Sequence, residues 1–507
     1  MSLLKQNISA NLFGNSWHAL MALVFVPLYI KFMGVESYGL IGIFVMLQVM
    51  TGLLDMGLSG TLNREMARLS VLPGREQEVR NLVRTLEIIY WCMALVIGIA
   101  VIAISPFIAH HWIRAEQLSS STIEQAVLII GFILMLEWPS GFYAGGLMGL
   151  QRQIILNVIN ISTSTLRGVG AVMVLWLISP TIQAFFLWQI VISVIHTFLL
   201  TLFFWLSLPQ AGNRAVFQKQ LLKGIWRFAA GMGGTTMLAI ILTQMDKLIL
   251  SKMLSLEMFG YYALASLIAM SPLRLSGPMF FSIYPRFTQL VSLNEQEGLR
   301  KLYHKGCQLM AVLILPASIV VALYSYEIIL LWTQNPITAE RSHLLVSILI
   351  CGTALNALMD LPHALQWSFG WTRLSFFRNL VAVGLLVPLI VYMTTNYGAV
   401  GAASVWLILN VGYVLFEVPL MHRRLLREEK WRWYWQDVLI PLAAALVIAA
   451  SGKLFINSSM SQFTLLIYLS IISALTLGIT AIITPVTRDW LFGQLLKIKS
   501  ACGVVNT

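Results

Sequence analysis

Charge is scarce in this chain. Only 11% of its 507 residues are Asp, Glu, Lys or Arg, against 58% hydrophobic residues and a mean hydropathy of +0.81. A soluble domain carries about 25% charged residues, so a water-soluble fold is excluded. Cysteine is almost absent. Cys92, Cys307, Cys351 and Cys502 stand singly, with no paired spacing for a disulfide framework or a zinc site. His110-His111 has no acid or cysteine at ligand spacing, so no metal and no cofactor is expected. No Gly-x-x-x-x-Gly-Lys-Ser/Thr phosphate loop occurs, which excludes ATP hydrolysis by that device.

What the chain does have is apolar length. Windows of roughly 20 apolar residues predict an all-α membrane protein with about fourteen transmembrane helices. Their cores fall at 10–33, 38–62, 86–109, 126–148, 158–178, 182–207, 228–250, 260–285, 306–333, 344–368, 380–396, 398–420, 438–456 and 462–485. Lys5 precedes the first span and no small-residue cleavage site follows it, so that span reads as a membrane helix rather than a removed signal. Asn457-Ser458-Ser459 reads as a chance sequon.

Orientation follows from the cations, because cytoplasmic loops retain Lys and Arg. Counting Lys5 and the C-terminal Arg488, Lys497 and Lys499 with the even-numbered connections places 25 of the 33 cations on one side. Lys31, Arg114, Lys252, Arg341 and Lys453 fall opposite. Both termini are therefore expected in the cytoplasm, and the net charge of +12 reflects topology, not a nucleic-acid partner. Every noncytoplasmic connection is shorter than about twenty residues, too short to carry structure of its own, so an enzyme with an external catalytic loop is not expected.

The chain also repeats itself. Glu137-Trp138-Pro139 followed by Gly149-Leu150-Gln151-Arg152 returns as Asp360-Leu361-Pro362 followed by Gly370-Trp371-Thr372-Arg373. One constant shift pairs Lys31 with Lys252, Glu36 with Glu257, Gly39 with Gly260, Gly149 with Gly370 and Arg152 with Arg373; the acid-x-Pro elements pair at a shift two positions longer. Six spans per copy is even, so both copies enter the membrane in one direction, a parallel repeat. The expected division is a six-helix lobe over 1–222, a second over 223–430, and two additional helices with a cytoplasmic tail over 431–507.

Certain runs resemble a known family. Pro27-Leu28-Tyr29-Ile30-Lys31-Phe32-Met33-Gly34-Val35-Glu36-Ser37-Tyr38-Gly39 is similar to the first hairpin of bacterial polysaccharide exporters, and Leu53 to Glu65 to the end of their second helix. Asp246 to Lys252, leading to Phe259-Gly260-Tyr261-Tyr262-Ala263, resembles their seventh and eighth helices, although Ser255 stands where the first copy has Gly34. The family is the polysaccharide transporter family, with its Wzx-like O-antigen flippases, of the multidrug/oligosaccharidyl-lipid/polysaccharide superfamily. The resemblance implies an inner-membrane flippase that moves undecaprenyl-pyrophosphate-linked oligosaccharide by alternating access. The implied coupling ion is H+ or Na+. Membrane lipids, a polysaccharide polymerase and a chain-length regulator are the implied partners. A cation-coupled multidrug antiporter of the same superfamily is the alternative reading; a membrane glycan polymerase or ligase ranks third.

The intramembrane charges carry the site expectations. Arg167 lies nine residues into span five, about 14 Å from the cytoplasmic end. There an unpaired arginine costs at least about 2.5 kcal/mol. It either grips a pyrophosphate through its planar guanidinium or pairs with Glu137 or Asp360. The same offset in the second half lands on Pro388, so the cationic charge should be asymmetric. Arg274, about fourteen residues into span eight, is the second phosphate candidate, or else meets carbonyls freed by Pro272 or Pro278. Lys247 is the third, or snorkels. Glu137 and Asp360 are the candidates for ion coupling or gating, because burial and a movable cation can load and release a proton or sodium ion. Asp246 could meet a cation from another helix, and Asp55 should pair locally or with Arg64. Adjacent helix positions do not face each other, so Asp246 and Lys247 are not expected to form one simple pair. Glu87, Glu327 and Glu417 read as interfacial, His363 as a hydrogen-bonded bystander, and Tyr143 and Trp367 as aromatics that either stack on sugar or pack.

Overall fold

The computed structural model describes residues 3–70, 72–457 and 460–489; Lys497, Lys499, Cys502 and the Ser458-Ser459 of the sequon lie outside them. Among the described residues there is no strand, and the fold is all-helical. Eleven of the helices are long and apolar enough to cross a membrane by length and composition. The difference from fourteen has identifiable sources. The expected spans at 380–396 and 398–420 run together within Phe377–Arg424. They are separated there by Gly398 at φ 59°, ψ −143°, a backbone region closed to other residues. Two further long helices account for the missing spans: Lys219–Met253 covers the seventh, and Leu3–Val24 covers most of the first, whose last residues open Val26–Thr51.

Several expected spans are broken rather than continuous. The second stops at Gly52–Asp55, where Met56 and Gly57 both take left-handed backbone, and the chain restarts as Leu58–Leu69. Asp55 explains the restart: its Oδ1 accepts the N–H of Ser59 at 3.3 Å and its Oδ2 the Ser59 hydroxyl at 2.9 Å, so it caps the new helix, and Tyr90 OH also donates to it. Asp55 therefore pairs locally, as one of its two readings required.

The acid-x-Pro elements both mark breaks, with a difference. Glu137 is the last residue of Ser120–Glu137, while Asp360 is the first of Asp360–Ser368. A helix C-terminus repels a carboxylate and an N-terminus attracts one, so the two acids occupy opposite electrostatic settings. The Gly-x-x-Arg match does not superpose either. The left-handed turn residue is Gln151 in the first copy and Gly370 in the second, and the next helices start at Gln153 and Thr372. The structural register there is two positions shorter than the shift that pairs Gly39 with Gly260, so Gly149 corresponds to Ser368 and Arg152 to Trp371.

Two compact units emerge, Met1–Gly260 and Tyr261–Thr507. The first thus includes the helix Lys219–Met253, which the repeat assigns to the second copy. Its core gathers Leu62, Met66, Val83, Leu86, Tyr90, Phe142, Leu147 and Phe204. The stretch from Leu208 is no loose linker: Val216 N–H donates to Asn81 Oδ1 at 3.0 Å and Gln218 N–H to Thr85 Oγ1 at 2.9 Å, strapping it along the helix Glu76–Phe107. In the second unit the helices Ile440–Lys453 and Gln462–Ile483 pack on Gln296–Leu323 through a core containing Tyr324, Ala445, Ala449 and Ile472. Tyr324 OH donates to Ala449 O at 2.7 Å, and Lys453 meets Glu327 at 2.6 Å. Glu327, read as interfacial, is half of an ion pair.

Candidate functional site

Arg167 projects from the helix Gln153–Leu177, and its Nη2 donates to Glu137 Oε1 at 2.9 Å. Ser193 Oγ donates to the other carboxylate oxygen at 2.9 Å, and His196 Nδ1 approaches Oε1 at 4.0 Å. A carboxylate at a helix C-terminus needs compensation, and the guanidinium supplies it. The break beside Glu137 frees backbone acceptors as well, and Leu136 O is met by Thr197 Oγ1 at 2.8 Å. Neutral pairs extend this polar seam along the helix Leu3–Val24: Trp17 Nε1 donates to Thr165 Oγ1 at 2.9 Å and Asn157 Nδ2 to Asn11 Oδ1 at 2.7 Å.

A second constellation was not expected from sequence. Arg378 Nη1 donates to both carboxylate oxygens of Glu417, at 2.9 and 2.7 Å. His363 Nε2 lies 3.3 Å from Glu417 and also meets Arg378, and Gln366 Nε2 donates to Glu417 at 2.9 Å. Neutral pairs flank it too, Asn356 with Asn410 at 2.7 Å and Trp406 with Thr353 at 3.0 Å. Each unit therefore holds an acid, an arginine and a histidine on three successive helical segments, with the acid and histidine exchanged. The first runs Glu137, Arg167, His196; the second runs His363, Arg378, Glu417. His196 and Glu417 are related by the same shift as Lys31 and Lys252, a signal that the sequence contains. It is hidden because Arg378 and Glu417 lie near predicted span ends, where charge is ordinarily solvated.

The two arginines are not equivalent in position: at the register set by the helix starts Gln153 and Thr372, Arg167 corresponds to Leu386, and Arg378 lies eight residues nearer the start of its helix. Glu417, expected near an interface, is 4% exposed and engaged within the protein, and His363 belongs to its network. Glu87 is also 4% exposed, accepting from Tyr143 OH at 2.7 Å and Trp205 Nε1 at 2.9 Å. Tyr143 is thereby buried and packed, which leaves it no face for a sugar; Trp367 is half-exposed and edges against Phe280 and Tyr284.

The remaining candidates are dispersed. Lys247 Nζ donates to Thr243 O at 3.1 Å and lies 3.8 Å from Asp246, so these neighbours do form a loose pair. Arg274 opens the helix Ser271–Ser292 just past a break at Met270 and is exposed, with no ion pair among the described residues. Asp360 sits beside Ser276 and His363. His110 does meet an acid, Glu124, at 3.6 Å. Removing Arg378 would strand a buried carboxylate. Arg378→Met should therefore cost about 3–5 kcal/mol in unfolding measurements, and adding Glu417→Gln should recover most of it.

Within the first unit the repeat also builds a close contact. A Cβ on Gly39 would lie 2.4 Å from Leu256 O, and one on Gly260 would lie 2.5 Å from Val35 O. Val35 and Leu256 are themselves related by the shift that pairs the two glycines, so the contact is reciprocal, as a pseudo-two-fold axis requires. The segment after Trp112 completes it. Leu256 N–H donates to Arg114 O at 2.7 Å, and Trp112 Nε1 to Ser251 Oγ at 2.9 Å. Glu36 accepts the backbone N–H groups of Glu116, Gln117 and Leu118 at 2.6, 2.8 and 3.0 Å. Gly34, at φ 82°, makes the turn that brings Glu36 there.

Broken membrane helices, charge triads at helix interruptions and a reciprocal glycine contact define an all-helical, multi-pass membrane transporter. The chain belongs to the polysaccharide biosynthesis protein family, whose pattern matches residues 4–291. It is 20% identical to a putative O-antigen transporter from Shigella flexneri over 407 residues, covering 80% of this chain and 94% of that one. Its fold is similar to that of the lipid II flippase MurJ in an inward closed conformation, at TM-score 0.73 and 14% identity, over 96% of this chain and 99% of the other. It is also similar to an inward-facing multidrug resistance MATE family transporter, at TM-score 0.63 and 14% identity over 80% and 95%.

Proposed function

We propose that this chain is an inner-membrane flippase that exports polyprenyl-pyrophosphate-linked oligosaccharide for O-antigen, capsule or exopolysaccharide synthesis. Membership of the family and the named O-antigen relative support the substrate class. The observation that carries the reading to a site is the Arg167–Glu137 pair at 2.9 Å. A guanidinium held by one exchangeable carboxylate can hand itself to a phosphate, whose oxygens accept the same forked pair of hydrogen bonds. Glu137, released, is then free to take up H+ or Na+, which couples substrate binding to an ion. Asp360, the acid of the second acid-x-Pro element, is the second candidate for ion coupling, and Arg274 and Lys247 are secondary contacts for the pyrophosphate.

The fourteen-pass topology, both termini cytoplasmic, is part of this proposal. So are the lobes 1–222 and 223–430, the added helices of 431–507, and encounters with a polymerase and a chain-length regulator. Transport, not catalysis, is the activity. The antiporter reading draws on the fold shared with the multidrug transporter. A site for cationic drugs, however, calls for free acids, and Glu137 is already matched by Arg167.

The test is flipping itself. In spheroplasts lacking the chain, lipid-linked oligosaccharide should stay inaccessible to an impermeant lectin, and re-expression should expose it. Equal exposure without the chain would overturn the proposal. Glu137→Gln and Asp360→Asn should remove the dependence on H+ or Na+ gradients in proteoliposomes; unchanged dependence in both variants would leave the acids a structural role.

A further inference from the structure

The second unit contains a small cationic cavity that neither triad nor glycine contact involves. It has a volume of about 270 Å³ and is lined by Arg286, Lys301 and Lys305, with Glu295 as the single acid of the lining and Leu290 and Leu302 as its apolar wall. Arg286 comes from the end of the helix Ser271–Ser292; Lys301 and Lys305 come from one face of Gln296–Leu323, one helical turn apart. Arg286 Nη1 is steadied by Gln289 Oε1 at 2.9 Å and Lys301 Nζ by Glu297 at 2.9 Å. Lys305 has no ion pair among the described residues. The lining carries three positive charges and one negative, and Glu297, paired with Lys301, adds a second negative charge beside it, a local net of +1.

We infer that this cavity binds the phosphate of an anionic membrane lipid. Three cations around one opening match a phosphate's oxygens, and a basic pocket between membrane helices at the side of the basic loops is where lipid headgroups bind. The buried Leu290 and the partly buried Leu302 give the site the second character a lipid needs, an apolar wall next to the charge. A free phosphate would gain nothing from that wall, and a zwitterionic headgroup would bring a cation against three others. This inference does not depend on which substrate is exported.

The experiment uses the purified full-length chain in detergent, with native mass spectrometry counting bound phosphatidylglycerol, phosphatidylcholine and inorganic pyrophosphate. Phosphatidylglycerol should be retained specifically. Each cation is worth about fivefold near a charged surface, so Arg286→Gln/Lys301→Gln/Lys305→Gln should weaken retention on the order of 100-fold. Exchanging Arg for Lys and Lys for Arg at the same positions should preserve it. Glu295→Gln should strengthen it severalfold, a gain that misfolding cannot imitate. Unchanged retention in the triple variant, or phosphatidylcholine binding as tightly as phosphatidylglycerol, would overturn the inference. Pyrophosphate binding as tightly as the lipid would overturn the lipid source and assign the cavity to a soluble phosphate.

Discussion

Arg167→Ala is expected to reduce glycan export on the order of 10–100-fold, the loss that follows from removing one or more hydrogen bonds to a charged group. The same change also strands Glu137, whose remaining contacts are Ser193 and, at 4.0 Å, His196. Loss of export alone is therefore ambiguous, and a double variant separates the causes. Adding Glu137→Gln removes the stranded charge and should restore folding and membrane insertion, because most of the penalty of breaking such a pair is the uncompensated partner. Export should stay low, since the principal cation for the pyrophosphate is gone and only the secondary contacts Arg274 and Lys247 are left. If Arg167→Ala/Glu137→Gln exports at the wild-type rate, the pair is purely structural. Arg167→Lys should keep part of the activity, because an ammonium supplies the charge without the fork.

The second large effect concerns the reciprocal glycines. Gly260→Leu places a side chain where even a Cβ would lie 2.5 Å from Val35 O, and Gly39→Leu does the same against Leu256 O at 2.4 Å. The obstacle in both cases is backbone, which cannot rotate away as a flexible side chain would. Forcing atoms into such a contact costs typically about 1–3 kcal/mol, enough to shift a two-state equilibrium by roughly 5- to 150-fold. The expected result is a chain that inserts normally but no longer holds this contact closed. Ser251→Cys, in a background without the exposed Cys92 and Cys351, should then react with an impermeant thiol reagent several times faster than in the parent. Unaltered labelling and normal export in both glycine variants would show that the contact is not part of the transport cycle. Glu36→Gln should have a milder effect in the same direction, because it weakens three charge-assisted bonds without removing the turn at Gly34.

Much of the fold was legible in the sequence because the bilayer imposes a length and a polarity on every helix. The apolar windows located nearly every helical segment, and the spacing of the repeat anticipated a geometric relation at Gly39 and Gly260. The breaks were legible where proline marked them, as at Pro139. They were not legible at Asp55, where a carboxylate capping a restarted helix looks in sequence like any polar residue near a span end. The Gly-x-x-Arg match was misleading by two positions, because a left-handed turn can be made by Gln151 as well as by Gly370.

The site was legible in part. Arg167 and Glu137 stood out because charge at mid-bilayer depth is costly wherever it occurs. Their pairing was one of two readings, and choosing between them required the position of one helix against another. Arg378, Glu417 and His363 did not stand out, since the same residues at a span end are inexpensive when solvated. Burial alone makes them a triad.

Composition and hydrophobic length thus determined that this is an all-helical, multi-pass membrane protein, because those properties depend on the cost of placing each residue in hydrocarbon, one residue at a time, and the constant shift between matching residues marked the repeat. Tertiary structure decided which charges meet, which acid sits at which end of its broken helix, and that two glycines far apart in sequence touch reciprocally. Those outcomes depend on distances between helices, and hydropathy and spacing along the chain do not encode such distances.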